Sequence, residues 1–188
     1  MNSKYERRDW YPTTTGADIY VEEPWLSEVR IEDIAHALSL QCRFGGHILA
    51  HYSVAQHCVL MSRLCSPKHA LVALLHDASE AYVQDIIGPQ KHLHRKTYGP
   101  LEHVWLERIG VQFGVDLVDL PSEIKLIDKQ MLLAERRALL PADGWTIPGV
   151  EPADVKIYPW TSGSAKSLFL ARFQELTDRT IIIPGDVP

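Results

Sequence analysis

The stretch ALVALLHDASEAYVQD, residues 70–85, decides how this chain is read. It is strongly apolar, yet His76 and Asp77 stand side by side within it. Burying an imidazole and an ionised carboxylate without partners is costly. A bound cation removes that cost by taking one ligand from each. Glu80 follows one helical turn later, and Asp85 lies five residues beyond it. Upstream, SVAQHCVLM (53–61) sets His57 in a second apolar pattern. Downstream, EIKLIDKQMLL (123–133) does the same for Asp128.

The spacing of the neighbours says which way these groups point. His57 has Val54 at i−3, Leu60 at i+3 and Met61 at i+4. Asp77 has Ala73, Leu74 and Ala81 at i−4, i−3 and i+4, and Asp128 has Ile124, Met131 and Leu132 at i−4, i+3 and i+4. Side chains three and four apart share a helix face, so three helices aim polar groups inward. Taken singly, a buried histidine is most simply a hydrogen-bonded core residue, and Asp128 a buried partner of a nearby Arg or Lys. Taken together, one cation accounts for all four. Two imidazoles and two carboxylates suit Mn, Co, Zn, Fe or Ni better than Ca or Mg. Four protein ligands leave positions on a six-coordinate ion for water and a phosphate oxygen.

Around these segments the chain reads as all-α: several helices, almost no strands. Residues 1–30 are mixed and carry Pro12, Gly16 and Pro24, which predicts an irregular arm with room for a short hairpin. Residues 31–188 form the helical domain. Within it, 31–41 is a helix, and the adjacent Gly45 and Gly46 are a break. Ser53 caps a helix reaching Cys65, with Gln56 completing a capping box. Pro67 starts a helix that carries His76-Asp77 and ends near Gln84. Residues 86–96 read as a basic loop, and 98–112 as a helix ended by Gly110 and Gly114. Pro121 opens a helix to Leu140. The proline-bearing stretch 141–161 reads as an ordered surface loop, 164–177 as a last helix, and 180–185 as a short extended tail.

The bulk numbers narrow the function. A chain of 188 residues with 46% hydrophobic residues suits one domain with a real core. A net charge of −5 argues against a general nucleic-acid or duplex binder but leaves a small anionic ligand open. Cys42, Cys58 and Cys65 make no CxxC pair, and no signal peptide precedes them; this predicts a reducing, cytoplasmic setting. No apolar run reaches membrane-span length, so no membrane partner is expected.

The ordered set His57, His76-Asp77 and Asp128 resembles the ligands of the HD-domain superfamily of metal-dependent phosphohydrolases. The wider pattern is similar to its 5'-deoxynucleotidase-like branch and to phage-encoded dNTP triphosphohydrolases. The shared features are the Arg43-Phe44 step, Val54-Ala55-Gln56-His57, the run from His76-Asp77 through Glu80 to Asp85, Pro89-Gln90-Lys91, and Tyr98 with Glu102. They span about residues 31–140. This sequence departs from the branch in carrying Phe44 where Trp is frequent, and in Gly45-Gly46 after it.

The resemblance implies a single HD-type helical bundle binding one divalent transition metal through His57, His76, Asp77 and Asp128. It implies Glu80 as the group that holds or deprotonates the attacking water, and Asp85 as a second catalytic-site carboxylate. Arg43, Phe44 and Lys91 become substrate contacts. Apart from the resemblance, His47 after the glycines reads most simply as a surface histidine, and Cys58, about 100° round the helix from His57, as a core residue. The expected substrate is a small nucleotide, most simply a deoxynucleoside monophosphate, and the expected assembly is a homodimer or larger. The alternatives are a dNTP triphosphohydrolase, a dinucleotide phosphodiesterase recruiting His92, His94 or His103 to a second metal, and a non-catalytic nucleotide sensor.

Overall fold

The computed structural model describes residues 10–141 and 144–178. Strands β1 (Trp10–Pro12) and β2 (Asp18–Tyr20) form an antiparallel hairpin within the arm. The helices that follow are α1 (Ile31–Leu40), α2 (Val54–Leu64), α3 (Ala70–Leu75), α4 (Glu80–Val83), α5 (Gly88–Leu93), α6 (Tyr98–Phe113), α7 (Ser122–Leu139) and α8 (Ser162–Thr177). The all-α expectation holds. The predicted tail at 180–185 lies outside the described residues.

Helix α2 is the axis of the fold. It packs on α1, α3, α7 and α8, and α8 in turn touches α1 and α3. Its buried Val54, Ala55, Cys58 and Val59 join Ile34, Leu38, Leu74, Trp105 and Phe169 in the main core. Ile19 and Val29 of the arm belong to that core too. On the other side, Met61 meets Ala73, Ile124, Ile127 and Met131 in a second cluster that seats α7. Burying each of the Val, Leu, Ile, Met and Phe side chains among these stabilises the fold by roughly 1.5–3 kcal/mol. The hairpin turn is fastened to α1 by Asp33, whose carboxylate accepts hydrogen bonds from Thr13, Thr14 and Thr15.

Several boundaries differ from expectation for identifiable reasons. Ser53 caps α2 by accepting from the Gln56 N–H, but Gln56 does not complete the box. Its side-chain amide instead donates to the Tyr158 carbonyl and accepts from the Trp160 N–H. One glutamine thereby pins the segment after α7 onto α2. The predicted continuous helix over 67–84 is interrupted at His76–Ser79. There the N–H groups of Ala78, Glu80 and Ala81 bond three residues back rather than four. Such local tightening is a common mark of a functional site. Residues 88–93 are helical rather than loop, with Pro89 in a first turn where its missing N–H costs nothing. Gly110 does not end α6. A Cβ there would lie 2.6 Å from the Val115 carbonyl, so glycine lets the chain fold back closely after Gly114 closes the helix with φ +75°. Cys42, Cys58 and Cys65 are free. Among the described residues, no helix is long and apolar enough to cross a membrane.

Candidate metal centre

Three separate elements bring the predicted ligands together. His57 comes from the buried face of α2, His76 and Asp77 from the tightened turn after α3, and Asp128 from α7. His57 Nε2 lies 3.4 Å from Asp128 Oδ1 and 3.7 Å from Asp77 Oδ2, and His76 Nε2 lies 3.3 Å from Asp77 Oδ1. Donor atoms of His57, His76 and Asp128 all fall within 4.8 Å of one another. Adjacent donors bound at about 2.0–2.2 Å from one ion sit about 3 Å apart, so this cluster is only slightly wider than a filled one.

The wiring of the two imidazoles tests whether a cation fits. His57 Nδ1 is 2.6 Å from Glu135 Oε1, and His76 Nδ1 is 2.9 Å from the Ala73 carbonyl. Each ring therefore uses Nδ1 for a carbonyl or carboxylate and turns Nε2 to the cluster. Both Nε2 atoms are buried and have no hydrogen-bond partner. An outer hydrogen bond that fixes tautomer and ring direction is what metal-ligating histidines ordinarily have. Burial and Arg43 push the His57 imidazole down, but Glu135 and Asp128 outweigh them and hold it up at about 9. Burial alone would raise Asp128 and Asp77, yet the neighbouring histidines and Arg43 keep both below the usual carboxylate range. The cluster thus favours a positive charge at its centre. These residues could hold a metal ion.

Cys58 Sγ also approaches His76 and Asp77 within 4.8 Å. Burial and the charge of Asp77 push its thiol well up, so it stays neutral, as its place in the core suggests.

Around the cluster lies a cavity of about 550 Å³, within the range of small-molecule sites. Arg43, Phe44, His47, Asp77, Glu80, Asp85, Lys91 and Asp128 all line it, so every predicted catalytic and substrate residue reaches the same space. Glu80 is buried; Lys91 Nζ sits 3.0 Å from its Oε1, while its Oε2 has no partner. Burial and Asp77 push the Glu80 carboxyl well up, and Lys91 only partly opposes them. Lys91 is also 3.0 Å from Glu102. Arg43 pairs with Glu135 at 3.0 Å and approaches Asp77 at 3.5 Å. Phe44 has φ +58° and is followed by Gly45 and Gly46, also at positive φ. This left-handed run turns the chain sharply beside the cavity. Asp85 does not cap α5, whose N-cap is Ile87; its N–H is held instead by Gln41. His103 pairs with Glu107 on the surface, and His92 and His94 are exposed. Both metal-competent clusters among the described residues share His76 and describe one site.

No family model matches this chain. The uncharacterized protein YfdR of Escherichia coli strain K12 is 37% identical over 170 residues, covering 88% of this chain and 94% of YfdR. The chain belongs to the YfdR family. An uncharacterized protein of Rhodobacter capsulatus is 33% identical over 128 residues, 63% of this chain and 65% of that protein.

Four residues of this YfdR-family site escaped the sequence reading. Glu135 holds His57 and Arg43 and accepts from the Tyr52 hydroxyl at 2.9 Å. Its flanking Met131 and Leu139, at i−4 and i+4, carry the same buried-face signal that singled out His57. Tyr52 gave no such signal, because a loop tyrosine ahead of a helix has many uses. Gln41 donates to the Glu80 carbonyl at 2.8 Å and accepts from the Asp85 N–H at 2.9 Å. Only the approach of α1 to α4 reveals it. Arg136 lines the cavity from α7, beyond Asp128.

Proposed function

We propose that this protein is an HD-type, metal-dependent phosphohydrolase that removes the 5'-phosphate of a deoxynucleoside monophosphate. The observation that carries this reading is the pair of buried, unpartnered Nε2 atoms of His57 and His76, turned toward two carboxylates at the floor of a cavity. His57, His76, Asp77 and Asp128 hold the ion, and the mixed imidazole and carboxylate set favours Mn, Co, Zn, Fe or Ni. When bound, the ion supplies Lewis acidity toward a phosphoryl oxygen and lowers the pKa of water.

The chain's own residues do the rest. Glu80 lines the cavity, its buried Oε2 has no hydrogen-bond partner, and in its ionised form it takes the proton of the attacking water. Lys91 holds the other oxygen of Glu80, which fixes the carboxylate plane. Arg43, held by Glu135, offers a planar guanidinium to phosphate oxygens. Asp85 lines the same space and serves the sugar or the water.

The charge balance supports a monophosphate over a triphosphate. Arg43, Lys91 and Arg136 line the cavity against Asp77, Glu80, Asp85 and Asp128. Arg43 and Lys91 are each already shared between two carboxylates. A divalent ion offsets one short anionic group far better than a triphosphate chain.

The test is a substrate screen with Mn, Co, Zn, Ni and Mg. Release of inorganic phosphate from deoxynucleoside monophosphates is the expected result. Release of tripolyphosphate from dNTPs, or turnover of a cyclic dinucleotide alone, would replace this reading.

A further inference from the structure

The cavity has a second end. Along α7 and its C-cap, Asp128, Leu132, Arg136 and Leu140 recur every four residues, and all four line it. This stripe runs outward from the metal cluster: carboxylate, apolar, cation, apolar. Arg136 lies about 12 Å along the helix from Asp128, at 1.5 Å per residue. Helical side chains lean toward the N-terminus, so Arg136 leans back over the cavity rather than away from it. Across this end stands Trp145, from the segment after α7, with its ring centroid 4.5 Å from the Arg136 guanidinium carbon. The indole also lines the cavity and remains 44% exposed.

A large aromatic ring left open to solvent is normally a loss of buried apolar area. Here a guanidinium stacked on it holds the indole in place. Leu132 and Leu140 flank Arg136 along the chain, and Ile86 and Ile87 add further apolar lining to the cavity. Apolar walls and a fixed flat ring whose neighbouring guanidinium is stacked on it suit an uncharged planar group. We propose that Trp145 is the platform on which the nucleobase of the substrate stacks, with Arg136 as its positioning residue. The inference rests on the nucleotide reading above. It adds that base recognition comes from the 144–161 segment, outside the helices that hold the metal.

The test measures binding in a Glu80→Gln background, which slows turnover. The ligands are deoxynucleoside 5'-monophosphates and base-free 2-deoxyribose 5-phosphate. Base–aromatic stacking is worth about 1–3 kcal/mol by alanine substitution. Trp145→Ala is therefore expected to weaken the nucleotides about tenfold or more while leaving 2-deoxyribose 5-phosphate within about twofold. Trp145→Phe should restore most of the loss. Equal weakening of both ligands, or of neither, overturns the proposal. So does an Arg136→Gln effect that grows from mono- to triphosphate at a fixed base, which would make this end a phosphate site. Failure of the two readings is distinguishable. Nucleotide binding that depends on Trp145 without phosphate release by the unmodified protein removes the hydrolase and keeps the platform. Phosphate release from nucleotides that ignores Trp145→Ala removes the platform alone, and no nucleotide binding by the unmodified protein removes both.

Discussion

Glu135 Oε1 lies 2.6 Å from His57 Nδ1, with both side chains fully buried. Burial would raise this carboxyl, but Arg43, His57 and the Tyr52 hydroxyl hold it below the usual range, so it stays ionised. An anion at Nδ1 fixes the tautomer that presents Nε2 to the cluster and raises the basicity of that nitrogen. Glu135→Gln should therefore lower metal affinity about 10–100-fold, as outer hydrogen-bond partners of ligands do. Competition against a chelator of known affinity checks it. Tyr52→Phe, which removes one hydrogen bond to the same carboxylate, should act in the same direction and less.

Asp77 touches the candidate cation site from the His76 side, 3.3 Å from His76 Nε2. Asp77→Ala should abolish both metal binding and activity. A ligand present at about 100 times its Kd stabilises the folded state by about 2.7 kcal/mol, which is roughly a 5–10 °C rise in Tm at this chain size. Scanning calorimetry with Mn or Co should register that rise in the unmodified protein and none in the variant. An equal rise in both would mean the ion binds elsewhere.

Glu80 is not needed to hold the ion. Glu80→Gln keeps the shape and the Lys91 contact at Oε1 but cannot accept a proton. Turnover should fall by about two to four orders of magnitude while metal content measured by elemental analysis is unchanged. Full activity in this variant would move the base role to Asp85, whose carboxyl burial also pushes up.

Gln41 ties the backbone at Glu80 to the backbone at Asp85 through its two amide atoms. Gln41→Ala frees both and loosens Gln84, held at φ +73° between them. A misplacement of about 1 Å can cost about a hundredfold in rate. We expect kcat to fall about ten- to a hundredfold with metal affinity unchanged. Steady-state kinetics set beside metal titration separates this positioning role from a ligand role. A parallel loss of metal affinity would show that the turn as a whole had collapsed.

Glu123 fastens the start of α7 to the turn before α3. It accepts from the Ser66 hydroxyl and N–H and faces His69 Nδ1 at 2.5 Å. These bonds, the Ser66 hydroxyl first, lower its carboxyl from 4.5 to about 2. A carboxyl lowered on folding adds stability above its unfolded value, and that stability disappears as pH falls through the folded one. Glu123→Gln should lower Tm at pH 7, and the gap from the unmodified protein should close between about pH 5 and pH 2. Thermal melts across that range check it, and a gap constant with pH would show that the charge on Glu123 is irrelevant.

Local pattern carried a large part of this protein. The 3.6-residue periodicity placed α1, α2, α6, α7 and α8 to within a few residues, because each buries one continuous apolar stripe. The same periodicity marked His57, Asp77 and Asp128 as polar groups on apolar faces, and they do meet. What depended on contacts between segments distant in the chain was left to the tertiary structure. The Gln56 amide could serve its own helix cap or a loop a hundred residues away, and only the packing of 156–160 on α2 chose the loop. The tightening at His76–Ser79 accompanies two adjacent side chains that both reach one cluster, an arrangement helix propensity does not encode. Lys91 and Arg43 were readable as cations. That each is already held by two carboxylates, and that Arg136 lies beside Trp145 at the far end of the same cavity, follows from where α5, α7 and the 144–161 segment come to rest. Sequence spacing determines which face a side chain takes, and only the packing of the helices decides what that face meets.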